Sequence, residues 1–284
     1  MKVAVTAVNG KLGSVIAKRL ITEIGSANVV GFARTPEKAK HLGIEIRKGD
    51  YNSPQDFEDG LKGIDRLLII SGMDAPTARV QQHRNIIKAA KHNGVEKVVY
   101  TSIIGHNVDT VFGPVVQSNR QTERDLKSSG LSWAVGRNGL YLEPDLEYLD
   151  SYLELGYVSN SALNGKTSYT SKSELAEAYT KLLLSDQLNS AIYNLTAEPV
   201  EQKDLVEAMN QVFEINLKYL YMTSEAFLAS RQKELGTFMG AVIGGIYDGI
   251  RDGSFETESD FEKVTGRAHK QVLQLINEFK NHKS

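Results

Sequence analysis

Residues 7–13 read AVNGKLG and separate two segments of opposite character. Before them, Lys2–Thr6 (KVAVT) is a short apolar run rich in β-branched residues, which favours a strand. After them, Ser14–Leu20 opens a helix with apolar positions at Val15, Ile16 and Leu20. A strand that ends in a glycine turn and feeds directly into a helix builds an anion site. Backbone N–H groups and the positive end of the helix dipole converge where a pyrophosphate can sit. In this reading Gly10 lets the backbone approach the phosphate and Gly13 lets the helix pack on the strand. A plain β–α turn is the competing reading, and the context favours the dinucleotide site more than the glycines themselves do. One position departs from the G-x-x-G-x-x-G pattern. Its first glycine is Ala7, at the tightest part of the turn.

The end of the second strand selects the nucleotide. An acid there accepts from the ribose 2′-hydroxyl, whereas an Arg meets a 2′-phosphate. The segment GFARTPEK offers no acid before Glu37 and places Arg34 about twenty residues beyond the turn. The planar guanidinium can pair with phosphate oxygens or stack on adenine, and a solvated arginine is the alternative. NADP(H) is expected over NAD(H).

Three further segments follow apolar runs and so fall at strand ends, where ligands of parallel sheets lie. They are Ser71-Gly72-Met73-Asp74-Ala75-Pro76, Thr101-Ser102-Ile103-Ile104-Gly105-His106, and Arg137-Asn138-Gly139-Leu140-Tyr141. The last is a substrate-edge candidate, with a guanidinium, an amide, a glycine for close approach and a phenol. The opposing reading is a plain turn with Tyr141 packed. His106 is the histidine placed to meet substrate, while His83 or Asn85 is expected to brace a neighbouring loop. No metal-ligand spacing and no G-x-S-x-G elbow are present. None of the twelve tyrosines has Lys four residues on, and the helix after the fifth strand reads Ser118-Asn119-Arg120-Gln121-Thr122-Glu123. Alcohol dehydrogenation by a Tyr–Lys pair is therefore disfavoured.

These residues need a scaffold. Strands are expected at Val29–Ala33, Ile44–Arg47, Arg66–Ile70, Lys97–Thr101, Leu131–Val135 and Ala191–Leu195. Helices are expected from Thr35-Pro36, from Ser53-Pro54, over Arg79–His92 and Val115–Ser128, and over Lys172–Leu184 behind a capping box of Ser171 and Glu174. Alternation of this kind implies an α/β fold, a Rossmann doubly wound parallel sheet with a smaller C-terminal α/β lobe. Residues 1–139 plus 165–196 form the nucleotide domain in this reading, and 140–164 plus 197–284 the substrate-side lobe. In the lobe, Asp145–Leu155 reads as helix, Gly156–Thr167 as loop, Glu201–Phe213 as helix and Leu217–Met222 as strand.

The 284 residues carry 41% apolar residues, a net charge of −2 and no cysteine. Disulfides, thiolate metal sites and cysteine nucleophiles are excluded, and no polyanion footprint points to nucleic acid. No apolar run approaches the ~20 residues of a membrane span, and no basic-then-apolar leader opens the chain. A cytoplasmic protein off the membrane is expected.

Taken in order, AVTAVNGKLG, GFARTPEKA, KGDYNSPQDF, GIDRLLIISG, QHRNIIKAAKHNGVEKVVYTS, TERDLKSSGLSWAVGRNGLY and IYDGIRDG resemble the NmrA-like, atypical short-chain dehydrogenase group. Within it, the chain is similar to bacterial NADPH-dependent quinone oxidoreductases and triphenylmethane dye reductases. The resemblance implies NADPH along Ala7, Val8, Asn9, Gly10, Lys11, Leu12 and Gly13, at Arg34, and at Ser71 and Gly72. It also implies contacts from Arg137, Asn138, Gly139, Tyr141 and Glu143, with Lys172 where relatives carry a cofactor-proximal Arg. Relatives usually have Gly at position 7, Thr at position 9 and often His at position 119, where this chain has Ala7, Asn9 and Asn119.

The expected reaction is direct hydride transfer from NADPH to a quinone or similar conjugated acceptor, whose reduced anion water can protonate. Tyr141, Asn138 and His106 would position the acceptor's oxygens. A non-enzymatic NADP(H) sensor that binds a protein partner is the alternative, and a homodimer fits either. Sugar-nucleotide epimerisation needs the missing Tyr–Lys chemistry.

Overall fold

The computed structural model describes residues 1–106 and 109–283. Strands and helices alternate through the first two-thirds of the chain. They run β1 (Val3–Val5), α1 (Lys11–Ile24), β2 (Val29–Ala33), β3 (Glu45–Lys48), α2 (Pro54–Gly60), β4 (Arg66–Ile69), α3 (Pro76–His92), β5 (Lys97–Ile103), α4 (Gly113–Lys127) and β6 (Ser132–Asn138). Then come β7 (Leu140–Tyr141), α5 (Glu143–Glu147), α6 (Leu149–Leu155), β8 (Tyr157–Asn160), β9 (Lys166–Thr167), β10 (Tyr169–Thr170), α7 (Lys172–Leu184) and β11 (Ala191–Leu195). The remainder is β12 (Val200–Glu201), α8 (Gln202–Phe213), β13 (Lys218–Tyr221), α9 (Ser224–Leu235), α10 (Thr237–Arg251), α11 (Phe261–Thr265) and α12 (Val272–Lys283).

Seven strands form one parallel sheet in the order β11-β6-β5-β4-β1-β2-β3. This is the doubly wound sheet expected from the alternation. The chain runs outward from β1 to β3, returns to β4 on the other side of β1, and runs outward again. The reversal opens a crevice at the carboxyl ends of β1 and β4, where such sheets bind ligands. Helices cover both faces, so the central strands are apolar on both sides. Val3, Val5, Leu68 and Val99 pack against α1 and α7, while Ala4, Phe32, Leu67 and Tyr100 face α2, α3 and α4. The edge strand β3 carries Glu45, Arg47 and Lys48, charges that discourage pairing with another chain.

At the opposite rim of the sheet, two buried cations hold the end of α7. Arg66 Nη1 donates to Leu183 O at 2.6 Å and Lys97 Nζ to Ser185 O at 2.7 Å, where the helix dipole favours positive charge. Burial, with the Arg66 charge, pushes the Lys97 ammonium down to about 8.

The lobe has its own core, in which Leu146, Leu205, Met209, Leu275 and Ile276 join α5, α8 and α12. Small two-stranded pairs tie it together: β7 with β10, β9 with β12, and β8 with β13. Three local expectations change here and in the sheet domain. Residues 36–42 form a 3₁₀ turn without a Thr35 side-chain cap, not a regular helix. Residues 145–155 are two helices that bend at Tyr148 (φ −87°, ψ 2°). The segment 156–167 holds β8, whose partner β13 lies so far along the chain that no local pattern announces it. Among the described residues, no helix is long and apolar enough to cross a membrane.

Candidate functional site

The glycine turn sits at the switch point. Val8 N–H donates to Phe32 O at 3.0 Å and Gly10 N–H to Ala7 O at 2.9 Å, which folds the turn against β2. Ala7 adopts φ 48°, the left-handed region that a glycine enters at less cost. Its Cβ is thus accommodated, with backbone strain. A Cβ at Gly13 would stand 2.5 Å from Ala7 O and 3.0 Å from Val8 Cα, so only glycine lets α1 start this close to the turn. Gly10 has an ordinary φ of −76° and caps α1 without a side-chain bond, and the first turn of α1 holds no acid. The leading N–H groups of α1 are therefore left for an anion. Val8 and Leu12 are buried and offer the site their backbone.

A cleft of about 310 Å³ opens beside this turn. Ala7, Asn9, Arg34, Ser71 and Gly72 line it, five of the residues expected at the nucleotide. Arg34 and Lys38 stand exposed on its wall, and neither has an ion-pair partner among the described residues. Two unneutralised cations beside an uncapped helix start suit a phosphorylated ribose. The cleft also includes Lys38, Asp50, Tyr51, Asn52 and Gln82, which the reading of the sequence did not single out. Topology held the signal, since Asp50–Asn52 follow the carboxyl end of β3.

Polar side chains that face inward hold the turn after β4. Gly72 N–H donates to His83 Nε2 at 3.1 Å, Ser71 N–H to Thr101 Oγ1 at 2.9 Å, and Ser71 Oγ to Asn119 Oδ1 at 3.1 Å. His83 Nδ1 lies 2.9 Å from Thr122 Oγ1, whose own hydroxyl donates to Ser118 O. These partners give a neutral imidazole protonated at Nδ1. Burial, with the Arg79 charge, pushes its pKa down to about 3. His83 is the loop brace, and Asn85 pairs with Gln81 on the surface. Asn119 also takes the Tyr100 hydroxyl at 2.6 Å.

Around the end of β6 the expected residues divide. Arg137 does not offer a free guanidinium. It forks onto Glu123, with Nε–Oε1 at 2.9 Å and Nη2–Oε2 at 2.6 Å, because it faces α4. Arg120 shares that carboxylate at 2.8 Å and anchors the loop after β5 through Ile103 O and Gly105 O. Burial pushes the Glu123 carboxyl up, but the Arg137 hydrogen bonds and the Arg120 charge outweigh it and hold the group below its ordinary range. Gly139 accommodates the backbone, since a Cβ there would lie 2.5 Å from Ser168 O. Asn138 is buried. Its Nδ2 donates to the Tyr141 hydroxyl at 3.1 Å, and its Oδ1 accepts from Tyr179 at 2.5 Å. Burial pushes the Tyr141 phenol up to about 12. His106 is exposed, with its N–H on Ser254 O at 3.0 Å.

Lys172 opens α7 behind Ser171, whose Oγ accepts from Glu174 N–H. The reciprocal half of that capping box is absent because Arg267 holds the Glu174 carboxylate. Lys172 Nζ lies 3.2 Å from Glu143 Oε2, and its N–H donates to Glu143 Oε1 at 2.8 Å. Lys11, Glu143 and Lys172 line a second cleft of about 490 Å³, between α1, α7 and the lobe helices α5 and α12. Asn9 lines the first cleft and Lys11 the second, so the glycine turn borders both.

Comparison with known proteins shows the family and the fold. The NAD(P)H-binding family profile matches residues 8–185. Quinone oxidoreductase 2 of Escherichia coli K12 is 30% identical over 199 residues, which is 69% of this chain and 68% of that protein. An NmrA-like family domain-containing oxidoreductase of Aspergillus flavus is 28% identical over 237 residues, 80% of this chain and 76% of its own. Among solved structures, the NADPH complex of the E. coli NADPH-dependent quinone oxidoreductase superposes with a TM-score of 0.90 at 25% identity, covering 98% of this chain and 100% of that one. The NADP(H) complex of Citrobacter sp. triphenylmethane reductase gives 0.89 at 24% identity, over 98% and 99%. The chain belongs to the NmrA-like, NAD(P)H-binding family of oxidoreductases.

Proposed function

We propose that this protein binds NADPH and reduces a quinone or a similarly conjugated acceptor. The observation that carries the reading is the pair of unneutralised cations, Arg34 and Lys38, beside the uncapped start of α1. The 2′-phosphate would meet Arg34 and Lys38, the pyrophosphate the N–H groups of residues 11–13, and the nicotinamide half the segment from Asn138 to Glu143. Lys172 and Glu143 would border that half of the site. When bound, the nicotinamide supplies a hydride. The protein's part is to hold the ring, exclude water and seat the acceptor. Tyr141 and His106 are its candidates for contacting the acceptor, with Asn138 acting through Tyr141. The kinship with a quinone oxidoreductase supports the acceptor class.

The nucleotide half of this reading is tested by titration calorimetry. Wild type should bind NADPH more tightly than NADH by about 1.5–3 kcal/mol. Arg34→Ala should remove most of that preference. Equal affinity for the two nucleotides in the wild type would contradict the assignment of Arg34.

A further inference from the structure

The protein lacks a Tyr with Lys four residues on, but the fold brings a tyrosine and a lysine together from separate elements. Tyr141 on β7 pairs with Thr170 on β10, two residues ahead of Lys172. Lys172 Nζ lies 5.2 Å from the centroid of the Tyr141 ring. Glu143 holds the lysine at both its backbone N–H and its Nζ. Asn138 has its Oδ1 occupied by Tyr179, so its Nδ2 donates to the Tyr141 oxygen. The Tyr141 oxygen therefore receives a hydrogen bond, while its own O–H finds no acceptor among the described residues.

We propose that Tyr141 is the proton donor to the oxygen of a carbonyl acceptor, and that Lys172, fixed by Glu143, stabilises the phenolate left behind. This rests on the reductase reading above. In the step, the acceptor takes a hydride and its two electrons from the reduced nicotinamide, which is thereby oxidised. The Tyr141 O–H bond breaks, the proton bonds to the acceptor's carbonyl oxygen, and the electron pair stays on the phenol oxygen. Water then restores the proton. The charged and titratable groups facing Tyr141 are Lys172 and Tyr179 from α7 and Glu143 from the start of α5, with the neutral Asn138 from β6. Lys172 is half-buried, which limits the screening of its charge by water, while the Glu143 carboxylate paired with it opposes ionisation of the phenol.

Two acceptors separate proton donation from a structural role. Reducing 1,4-benzoquinone to hydroquinone requires a proton on oxygen. Reducing the cationic dye crystal violet to its neutral leuco form adds a hydride to the central carbon and requires no proton. Tyr141→Phe, assayed at NADPH concentrations that saturate it by calorimetry, should lower the ratio of kcat for benzoquinone to kcat for crystal violet by ~10²-fold. Lys172→Met should shift the ratio in the same direction, and Lys172→Arg should restore it. In the cofactor-free protein, ¹³Cζ-tyrosine NMR should show Tyr141 ionising at lower pH in Lys172→Arg, whose guanidinium keeps its charge where the phenol titrates, than in Lys172→Met. An unchanged ratio in Tyr141→Phe, or a Tyr141 titration no lower in Lys172→Arg than in Lys172→Met, would overturn the proposal and leave the reductase reading standing. A wild type that reduces neither acceptor would overturn that reading, and the proposal with it.

Discussion

His83 Nε2 accepts the Gly72 backbone N–H at 3.1 Å, which ties α3 to the turn that lines the cleft beside Arg34. A neutral, buried imidazole is required for that bond. Its pKa of about 3 lies below that of a histidine in the unfolded chain. The unfolded state therefore binds more protons between about pH 6.5 and 3. His83 contributes stability that is present above about 6.5 and lost as pH falls through that window, at no more than about 1.4 kcal/mol per pH unit. Urea melts from pH 7 to 4 should show a shallower acid loss in His83→Gln than in wild type. Parallel pH dependences would contradict the neutral brace.

The two ends of the glycine turn make opposite predictions. Gly13→Ala forces a methyl against Ala7 O and Val8 Cα, backbone atoms that cannot rotate away. Thermal denaturation should show it destabilised by about 1–3 kcal/mol. Ala7→Gly releases a left-handed alanine and should be neutral or stabilising by up to about 1 kcal/mol, the gain offset by a freer unfolded chain. A stable Gly13→Ala, or a clearly destabilised Ala7→Gly, would contradict this turn geometry.

The lobe holds a carboxyl of the opposite pH sense. Asp145 accepts from Tyr247 at 3.1 Å beside Tyr169, and burial pushes it up to about 6. The folded state then binds more protons than the unfolded one between about pH 4 and 6. Asp145 favours the fold most below about pH 4, and that contribution is lost as pH rises through about 6. Asp145→Asn, which still accepts from Tyr247, should be more stable than wild type at pH 7.5 by about 1–3 kcal/mol, with the advantage vanishing near pH 4. Equal stability at pH 7.5 would contradict the enclosed carboxyl.

How far the sequence discloses this molecule depends on the range of the interactions involved. The parallel strands and their helices are legible because burial on both faces writes continuous apolar runs such as Arg66–Ile70. The glycine turn is legible because Gly13 answers a local steric demand. The role of Arg137 is not, because its partner Glu123 lies on another element and only the packing of α4 on β6 joins them. The polar inner face of α3, with Arg79, Gln82 and His83 buried, runs against the hydrophobic periodicity of its sequence, since it serves a turn and a cleft rather than the core. The approach of Lys172 to Tyr141 depends on the β7–β10 pairing, which two-residue strands do not announce.

The most direct test of the account is stopped-flow mixing of NADPH-loaded protein with 1,4-benzoquinone, followed by NADPH absorbance. The account predicts oxidation well above the protein-free rate, with deuterium transferred from only one face of the nicotinamide C4, because the ring is held in one orientation. Tight NADPH binding with no acceptor-dependent oxidation across a panel of quinones, enones and dyes would contradict it and identify a nucleotide sensor instead.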